Sequence, residues 1–484
     1  MRTPRFAGWL AVYGACLRGA VICFRHIGGD VRSVGVQFPV CLRAVVFAAC
    51  VAGVISGPVH AENLLQVYRQ GMAASPLIAE AKAGLRADRA GRPQARAALL
   101  PHVSAGASAG LNNANISGGF FPSISGPYHS DSYSVTLTQP LYNGAALSAL
   151  RVANSRIRSG RAALAYVEQS LALQITEGYF GVLQAEADVR VAREEAALLA
   201  SVYQEAHTAL RIGTGDIISA DEAKARVDAA RSRLVSARSA LRIAQRRLSR
   251  LTQAPVGVLW DVTSFAPRGP APDRAGPWVA MALRNQPLLK EAKAQLRVAE
   301  GEVQVARRAS WPTISLSGVA EHSLGTLFPG MEVNQVGASV NLELPIYAGG
   351  GIDAAEDRAE AQAQARRDGL NNLEQGVRLH TETAFLTLQD SVAKLKAAAA
   401  ARRSARVSLI ATRRGYALGA RSVLDLLTAA SGEARAGRDY YQALYHQIIA
   451  RVQLKAAAGV LTGADIVAIN ALLRAPGAIK PSGH

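Results

Sequence analysis

The chain is poor in aromatic side chains, in cysteine and in long apolar runs. Phe, Trp and Tyr make up only 6% of its 484 residues. Its four cysteines, Cys16, Cys23, Cys41 and Cys50, all precede Ala61. The rest of the chain therefore has no disulfide, no thiol nucleophile and no cysteine metal site. It also lacks the N-terminal cysteine that a lipid anchor would need. After Ala61 no segment strings together the roughly 20 apolar residues of a bilayer-spanning helix. Catalytic signatures are missing too. There is no Gly-rich loop ending in Gly-Lys-Ser/Thr and no H-E-x-x-H. His102, His129, His207, His322, His380 and His446 stand one to a segment, so no metal cluster is expected. Neither a cofactor nor an enzyme activity is expected.

Positive charge is plentiful. The formal net charge is +18 and the pI about 10.2. Arginines are spread along helical patterns and interleaved with Glu and Asp rather than clustered with aromatics. That is the arrangement of solvated helix faces and not of a nucleic-acid surface. Ala, Leu, Arg, Glu and Gln dominate, which is a helix and coiled-coil composition.

The first 61 residues differ from the remainder of the chain. Arg43 precedes an apolar run over 44–56, and Val59-His60-Ala61 ends it with a small residue. A basic flank, about a dozen apolar residues and a small residue form a secretory leader. Cleavage is expected after Ala61, leaving a mature chain of net charge +13 that begins at Glu62.

An internal repeat dominates the mature chain. Pro76-Leu77-Ile78-Ala79-Glu80-Ala81-Lys82-Ala83 recurs as Pro287-Leu288-Leu289-Lys290-Glu291-Ala292-Lys293-Ala294. Pro140-Leu141-Tyr142-Asn143-Gly144 recurs as Pro345-Ile346-Tyr347-Ala348-Gly349. The first copy is expected at 62–260: a helix, a β-hairpin at 101–142, a long helix at 144–210 and a helix at 219–251. A Pro- and Gly-rich connector covers 253–277. The second copy is expected at 278–470: a helix, a hairpin at 312–346, a long helix at 352–417 and a helix at 422–461. A C-terminal tail covers 471–484. Each opening helical pattern, 64–99 and 278–310, reads as one continuous helix closed by Pro101 or Pro312.

Periodicity carries these assignments. Tyr133, Val135 and Leu137 alternate with Ser134, Thr136 and Thr138, and Val336, Ala338, Val340 and Leu342 alternate with Gln335, Gly337, Ser339 and Asn341. A period of two makes one face apolar and the other polar. After each hairpin the period becomes helical: Leu164, Val167, Leu171, Ile175, Tyr179 and Val182 follow three-and-four spacing. A helix of some 66 residues would be on the order of 100 Å long. Such length points to a coiled-coil assembly. Gly349-Gly350-Gly351 lacks the spacing of a nucleotide fingerprint and reads as a strand-to-helix bend.

Four strands of about ten residues, polar on one face, match membrane β-strands. Four cannot close a barrel, and open edges are not viable in lipid. Three chains would supply twelve strands around a water-filled lumen. The fold class expected is thus α+β: a membrane β-barrel shared between copies, from which the helices continue as a long coiled-coil bundle, built from two structural repeats.

The sequence from Glu62 to Leu473 resembles the TolC-type outer-membrane channel-tunnels, the outer membrane factors. The resemblance is carried by Glu62-Asn63-Leu64-Leu65-Gln66-Val67-Tyr68, both Pro-x-Tyr-x-Gly junctions, residues 416–425 and Ala457-Ala458-Gly459-Val460-Leu461-Thr462. It implies a homotrimer in the outer membrane with a periplasmic tunnel. It also implies a periplasmic adaptor (membrane fusion protein), an inner-membrane transporter, and a cargo that is a secreted protein or small molecules. In that family the periplasmic entrance is shut by bonds between helix tips. The gate residues matched here are Tyr416, Arg421 and Asp425. Candidate partners on the first-repeat tip are Asp216, Ser219 and Asp221. Two positions depart from the pattern: Thr428 stands where the family has a second Asp, and Ser219 where it has an acid. The plainer alternative makes Arg421 and Asp425 an i,i+4 surface pair worth about 0.2–0.5 kcal/mol.

The expected function is the export channel of a type I protein secretion system, with a haemolysin- or cyclolysin-like toxin as possible cargo. Multidrug efflux is the first alternative. The second, a soluble periplasmic coiled-coil adaptor, leaves four two-faced strands without a purpose.

Overall fold

The computed structural model describes residues 61–116, 124–262, 265–326 and 328–475. The expected leader lies outside them as far as His60.

The first repeat comprises α1 (Leu64–Ala74), α2 (Pro76–Ala97), β1 (His102–Ile116), β2 (Ile124–Tyr142), α3 (Gly144–Arg211) and α4 (Ile217–Thr252). A short β3 (Asp261–Val262) lies in the connector. The second repeat comprises α5 (Ala275–Asn285), α6 (Pro287–Arg307), β4 (Thr313–Leu324), β5 (Glu332–Glu343), α7 (Gly351–Ala417) and α8 (Val423–Ala457). The described chain closes with α9 (Gly463–Asn470) and β6 (Leu473–Arg474).

Four expectations need correction. Each opening helix is two helices. Ser75 and Gln286 precede prolines and adopt extended ψ, because a proline ring clashes with a helical residue before it. The prolines that mark the repeat therefore also start α2 and α6. The connector is shorter than 253–277, since α5 begins at Ala275. The last long helix stops at Ala457 and not at 461. Gly459 there has φ +69°, and a Cβ on it would lie 2.5 Å from the backbone nitrogen of Gln286. Finally, residues 473–474 of the tail form β6, which pairs antiparallel with β3.

The two long helices organise the rest. Near its start α3 packs on α2 and α6, and further along on α4 and α8. The second long helix, α7, packs on α6 through Lys293–Glu374, Arg367–Glu300 and Arg307–Glu356 pairs. It then packs on α8, where the Arg402 guanidinium lies 4.8 Å from the ring centroids of both Tyr440 and Tyr441. The result is two rows of four helices that share α3 and α7: α2–α3–α6–α7 and α4–α3–α8–α7.

The few aromatics concentrate where these rows meet the connector. Tyr179, Phe180 and Tyr445 are fully buried beside Leu64, Ile175 and Leu248. A buried phenol needs a partner for its hydroxyl. Tyr179 donates to the Trp260 carbonyl at 2.8 Å and Tyr445 to Asp261 at 2.9 Å. Burial pushes both phenols well above their ordinary range.

The strands form one antiparallel sheet in the order β1-β2-β4-β5, so β2–β4 pairing joins the two repeats. Strand lengths of 12 to 19 residues exceed the ten expected. The register aligns Ala105, Val135, Ala320 and Val336 across one face, and Gly106, Ser134, Glu321 and Gln335 across the other. On the polar face Ser108 and Ser132 hydroxyls lie 2.8 Å apart, and Asn341 donates to Ser317 at 3.0 Å. On the apolar face Val336 is 89% exposed. A face of exposed Val, Leu and Ala beside a face of hydroxyls suits lipid on one side and water on the other. Among the described residues β1 and β5 each have one neighbour only, so both edges are open.

Candidate functional site

The residues expected at the gate lie on the two tight turns at the ends of α3 and α7. The first tip runs from Ile212 to Asp216. Thr214 and Gly215 donate to the Ala209 carbonyl at 2.9 and 3.0 Å, and Gly213 takes φ +82°. The second tip runs from Leu418 to Ser422. Gly419 takes φ +75°, and Ala420 donates to the Gly415 carbonyl at 2.8 Å. A positive φ is the end-of-helix conformation that glycine adopts without strain. It reverses the chain within five residues and returns α4 and α8 antiparallel to the long helices.

Each return helix is capped by an expected site acid. Asp216 is the N-cap of α4: its carboxylate accepts from the Ser219 amide at 2.8 Å and the Ser219 hydroxyl at 2.6 Å. Asp425 lies three residues inside α8. It accepts from the Ser422 amide at 3.1 Å, while the Ser422 hydroxyl accepts from the Asp425 amide at 3.1 Å. This is a reciprocal capping box, satisfying two amide donors that a helix start leaves without partners. The Ser219 bonds hold Asp216 below the usual carboxylate range. The Ser422 bonds do so for Asp425, with a smaller contribution from Arg421.

The structure therefore brings Asp216 and Ser219 together, and Asp425 onto Ser422. It does not join Arg421 to Asp425 as an ion pair. Among the described residues, neither Arg421 nor Asp221 forms an ion pair within 4 Å. The Arg421 side chain instead folds over Gly415, where a Cβ would meet its Cγ at 2.8 Å. Tyr416 packs against a buried cluster of Leu199, Val202, Val227, Leu426 and Leu427 that ties the two tips together. Burial raises its phenol first, and the Glu205 carboxylate on α3 second. It is a neutral hydrogen-bond donor at physiological pH.

Glu205 and Ser422 were missed in the sequence. Ser422-x-x-Asp425 before an apolar run is the local signature of a capping box and could have been found. Glu205 comes close to Tyr416 only through tertiary packing of α3 and α7 on α8, so no local pattern announces it. Among the described residues no cluster of His, Cys, Asp or Glu could hold a metal ion. The tips can position donors, acceptors and charge, but hold no reacting group.

Paired long helices that turn back at glycine-marked tips and lead into a lipid-compatible sheet define an outer-membrane channel with a periplasmic helical tunnel. Known proteins agree with this: the chain belongs to the outer membrane efflux protein family, whose model matches residues 67–253 and 278–460. It is 25% identical over 438 residues to the outer membrane protein TolC of Vibrio cholerae, covering 88% of this chain and 98% of that one. It is 26% identical over 426 residues to the alkaline protease secretion protein AprF of Pseudomonas aeruginosa, covering 84% and 87%. Its fold matches the Campylobacter jejuni CmeC outer membrane channel with a TM-score of 0.73, at 16% identity over 84% of this chain and 89% of that one. The protein is thus an outer-membrane conduit for efflux or secretion and not an enzyme.

Proposed function

We propose that this protein is the outer-membrane exit of a type I secretion system. Three copies complete a twelve-stranded barrel, and their helix rows close into a periplasmic tunnel. A periplasmic adaptor and an inner-membrane transporter deliver a secreted protein to the tips. One observation carries the assembly: a sheet with one lipid-compatible face and two open edges, which only further strands can satisfy. Protein cargo is supported by the likeness to AprF, a protease secretion protein, along 84% of the chain. Multidrug efflux is the second reading, favoured by the description of the family itself.

Deleting the gene separates the two. Secretion predicts that a specific polypeptide disappears from the culture medium while sensitivity to dyes and antibiotics stays unchanged. Sensitisation with an intact set of secreted proteins overturns it in favour of efflux.

The tips act as the gate in this reading. Tyr416 and Arg421 donate to the neighbouring first-repeat tip around Asp216, Ser219 and Asp221, and Asp425 lends negative charge to the constriction. Replacing Arg421 by Ser and Tyr416 by Phe together raises single-channel conductance in planar bilayers while trimers persist. Unchanged conductance from intact trimers would place the gate elsewhere.

A further inference from the structure

The interleaving of arginine with acids fails on one face of the lower helix row, α4–α3–α8–α7. On α4 no acid stands between Asp228 and the helix end, and on α7 every charge from Lys394 to Arg421 is basic. Higher on α7 the acids remain and pair across to α6. Six arginines stand exposed at the middle of the lower row: Arg190 and Arg193 on α3, Arg238 and Arg242 on α4, and Arg403 and Arg406 on α7. Among the described residues none of the six is in an ion pair.

The six share one level and one side. The level is set where Arg233 of α4 reaches Glu195 of α3 at 2.8 Å, Glu195 reaches Arg438 of α8 at 3.4 Å, and Tyr440 and Tyr441 of α8 lie under Arg402 of α7. Each of the six is within about two and a half turns of it. The side is that of the connector. Arg190 lies 5.1 Å from the Tyr441 ring centroid, Tyr441 stacks on Tyr445, and Tyr445 donates to Asp261. Arg193 follows Tyr179 and Glu186 at intervals of seven; Tyr179 bonds to Trp260, and Glu186 feels the Asp261 carboxylate. Arg242 lines a cleft of about 820 Å³ with Pro255 and Val256. Arg406 is one turn beyond Arg402, which shares the Tyr441 ring with Arg190. The acids of α3 at this level are few: half-buried Glu186 and exposed Glu194 on either side of Arg190, and buried Glu195, already paired.

We propose that these arginines form a cationic belt that binds the carboxylates of the cell wall, the glycan mesh whose peptide stems carry free acid groups. The connector layer lies on the same side, and in a closed tunnel a layer of that bulk fits outside the wall. The belt is thus open to the periplasm. Arg190 is 46 residues into α3 (190 − 144), about 70 Å from the sheet and too far for lipid headgroups. A folded protein partner would use an aromatic anchor, yet Tyr440 and Tyr441 are half-buried and already covered by arginine. Guanidinium forks match carboxylates, and a band of them suits a repeating polyanion. The belt rests on the trimeric reading of the proposed function, in which three copies close it around the tunnel.

The test is co-sedimentation of the detergent-purified protein with isolated peptidoglycan sacculi. The protein should pellet with them, and at least about tenfold less at roughly 0.5 M salt, where charges are screened. Sacculi whose carboxyls have been amidated should bind as poorly. Arg238→Gln, Arg242→Gln, Arg403→Gln and Arg406→Gln together should lower binding at least about tenfold; Gln is a good helix former, so the helices stay intact. A charge-matched variant on α2, with Arg86→Gln, Arg89→Gln, Arg92→Gln and Arg96→Gln, should bind as the parent does. An equal loss in the α2 variant, full binding by the belt variant, or full binding to amidated sacculi overturns the belt. Binding to immobilised polyglutamate but not to sacculi overturns the wall as partner in favour of an acidic protein. Native mass reports the trimer separately. Trimers that ignore sacculi overturn the belt alone, and a monomer overturns the trimer and the closed belt with it.

Discussion

Single residues decide how firmly the helix rows hold together, and Glu195 is the clearest case. It is 4% exposed on α3, and its carboxylate is held by Arg233 from α4 and Arg438 from α8. The two arginines are partly exposed and can regain water if released; Glu195 cannot. Removing one partner of a buried pair costs more than the pair contributed. Replacing both Arg233 and Arg438 by Ala strands the Glu195 carboxylate and should lower stability by about 3–5 kcal/mol, read as a lower midpoint in thermal or denaturant unfolding. Glu186 carries the opposite sign. Burial first, then the Asp261 carboxylate, raises its pKa. A raised acid costs stability while ionised, and the cost fades as pH falls through the folded-state value. Glu186→Gln should therefore stabilise the protein at neutral pH and lose that advantage in acid. The capping carboxylates behave in the reverse way. Asp216 and Asp425 are held low, so their contribution is complete above the ordinary carboxylate range and disappears as pH drops below it. Hydrogen exchange at residues 217–221 and 423–427 should show weaker amide protection on strong acidification. Asp216→Ala and Asp425→Ala should show that weaker protection already at neutral pH.

Among the elements, the junction between α8 and α6 is the most constrained. α8 ends against the start of α6, and Gly459 is wedged onto the backbone of Gln286. The Gln286 side chain donates to the Ala457 carbonyl at 3.3 Å, and Gln169 to the Ala456 carbonyl at 2.9 Å. These bonds serve carbonyls that a helix end leaves open. Gly459→Ala meets both a left-handed φ and a backbone contact that cannot give way. A loss of at least about 2 kcal/mol, in the range of the larger core substitutions, is expected in thermal unfolding. The sheet is constrained by solvent instead. Val336→Arg puts a charge on the lipid face and should cost about 2–4 kcal/mol near the bilayer midplane, seen as a smaller amount of protein in the outer-membrane fraction. Ser339→Arg, on the hydroxyl face of the same strand, should leave that amount unchanged.

At the scale of the whole molecule, much of the fold was legible in the chain. Period two in the hairpins, period three-and-four in the long helices and repeated prolines are local patterns, and each maps onto one element. The long helices α3 and α7 contain no proline, so nothing local interrupts them. Where the sequence reading failed, the deciding contact was local but easily passed over, or distant. Pro76 and Pro287 mark the repeat, and the same rings also break its opening helices. The end of α8 depends on a backbone contact between Gly459 and Gln286, which lie far apart in the chain. The pairing of β3 with β6 joins residues still further separated. At the tips, residues 212–216 and 418–422 were legible as turns because glycine marks them. That Asp425 is bound to its own helix start, and that Glu205 faces Tyr416, depends on which rotamers and helices meet.

By itself the sequence determined the class of elements, their order and the twofold repetition. Those arise from periodicity and composition, which act residue by residue along the chain. Only the tertiary structure decided which strand neighbours which, that β2 and β4 unite the two repeats, and which helix faces remain uncovered at the ends of the row. Those are properties of surfaces that form only once distant segments have packed, so no stretch of the chain carries them alone.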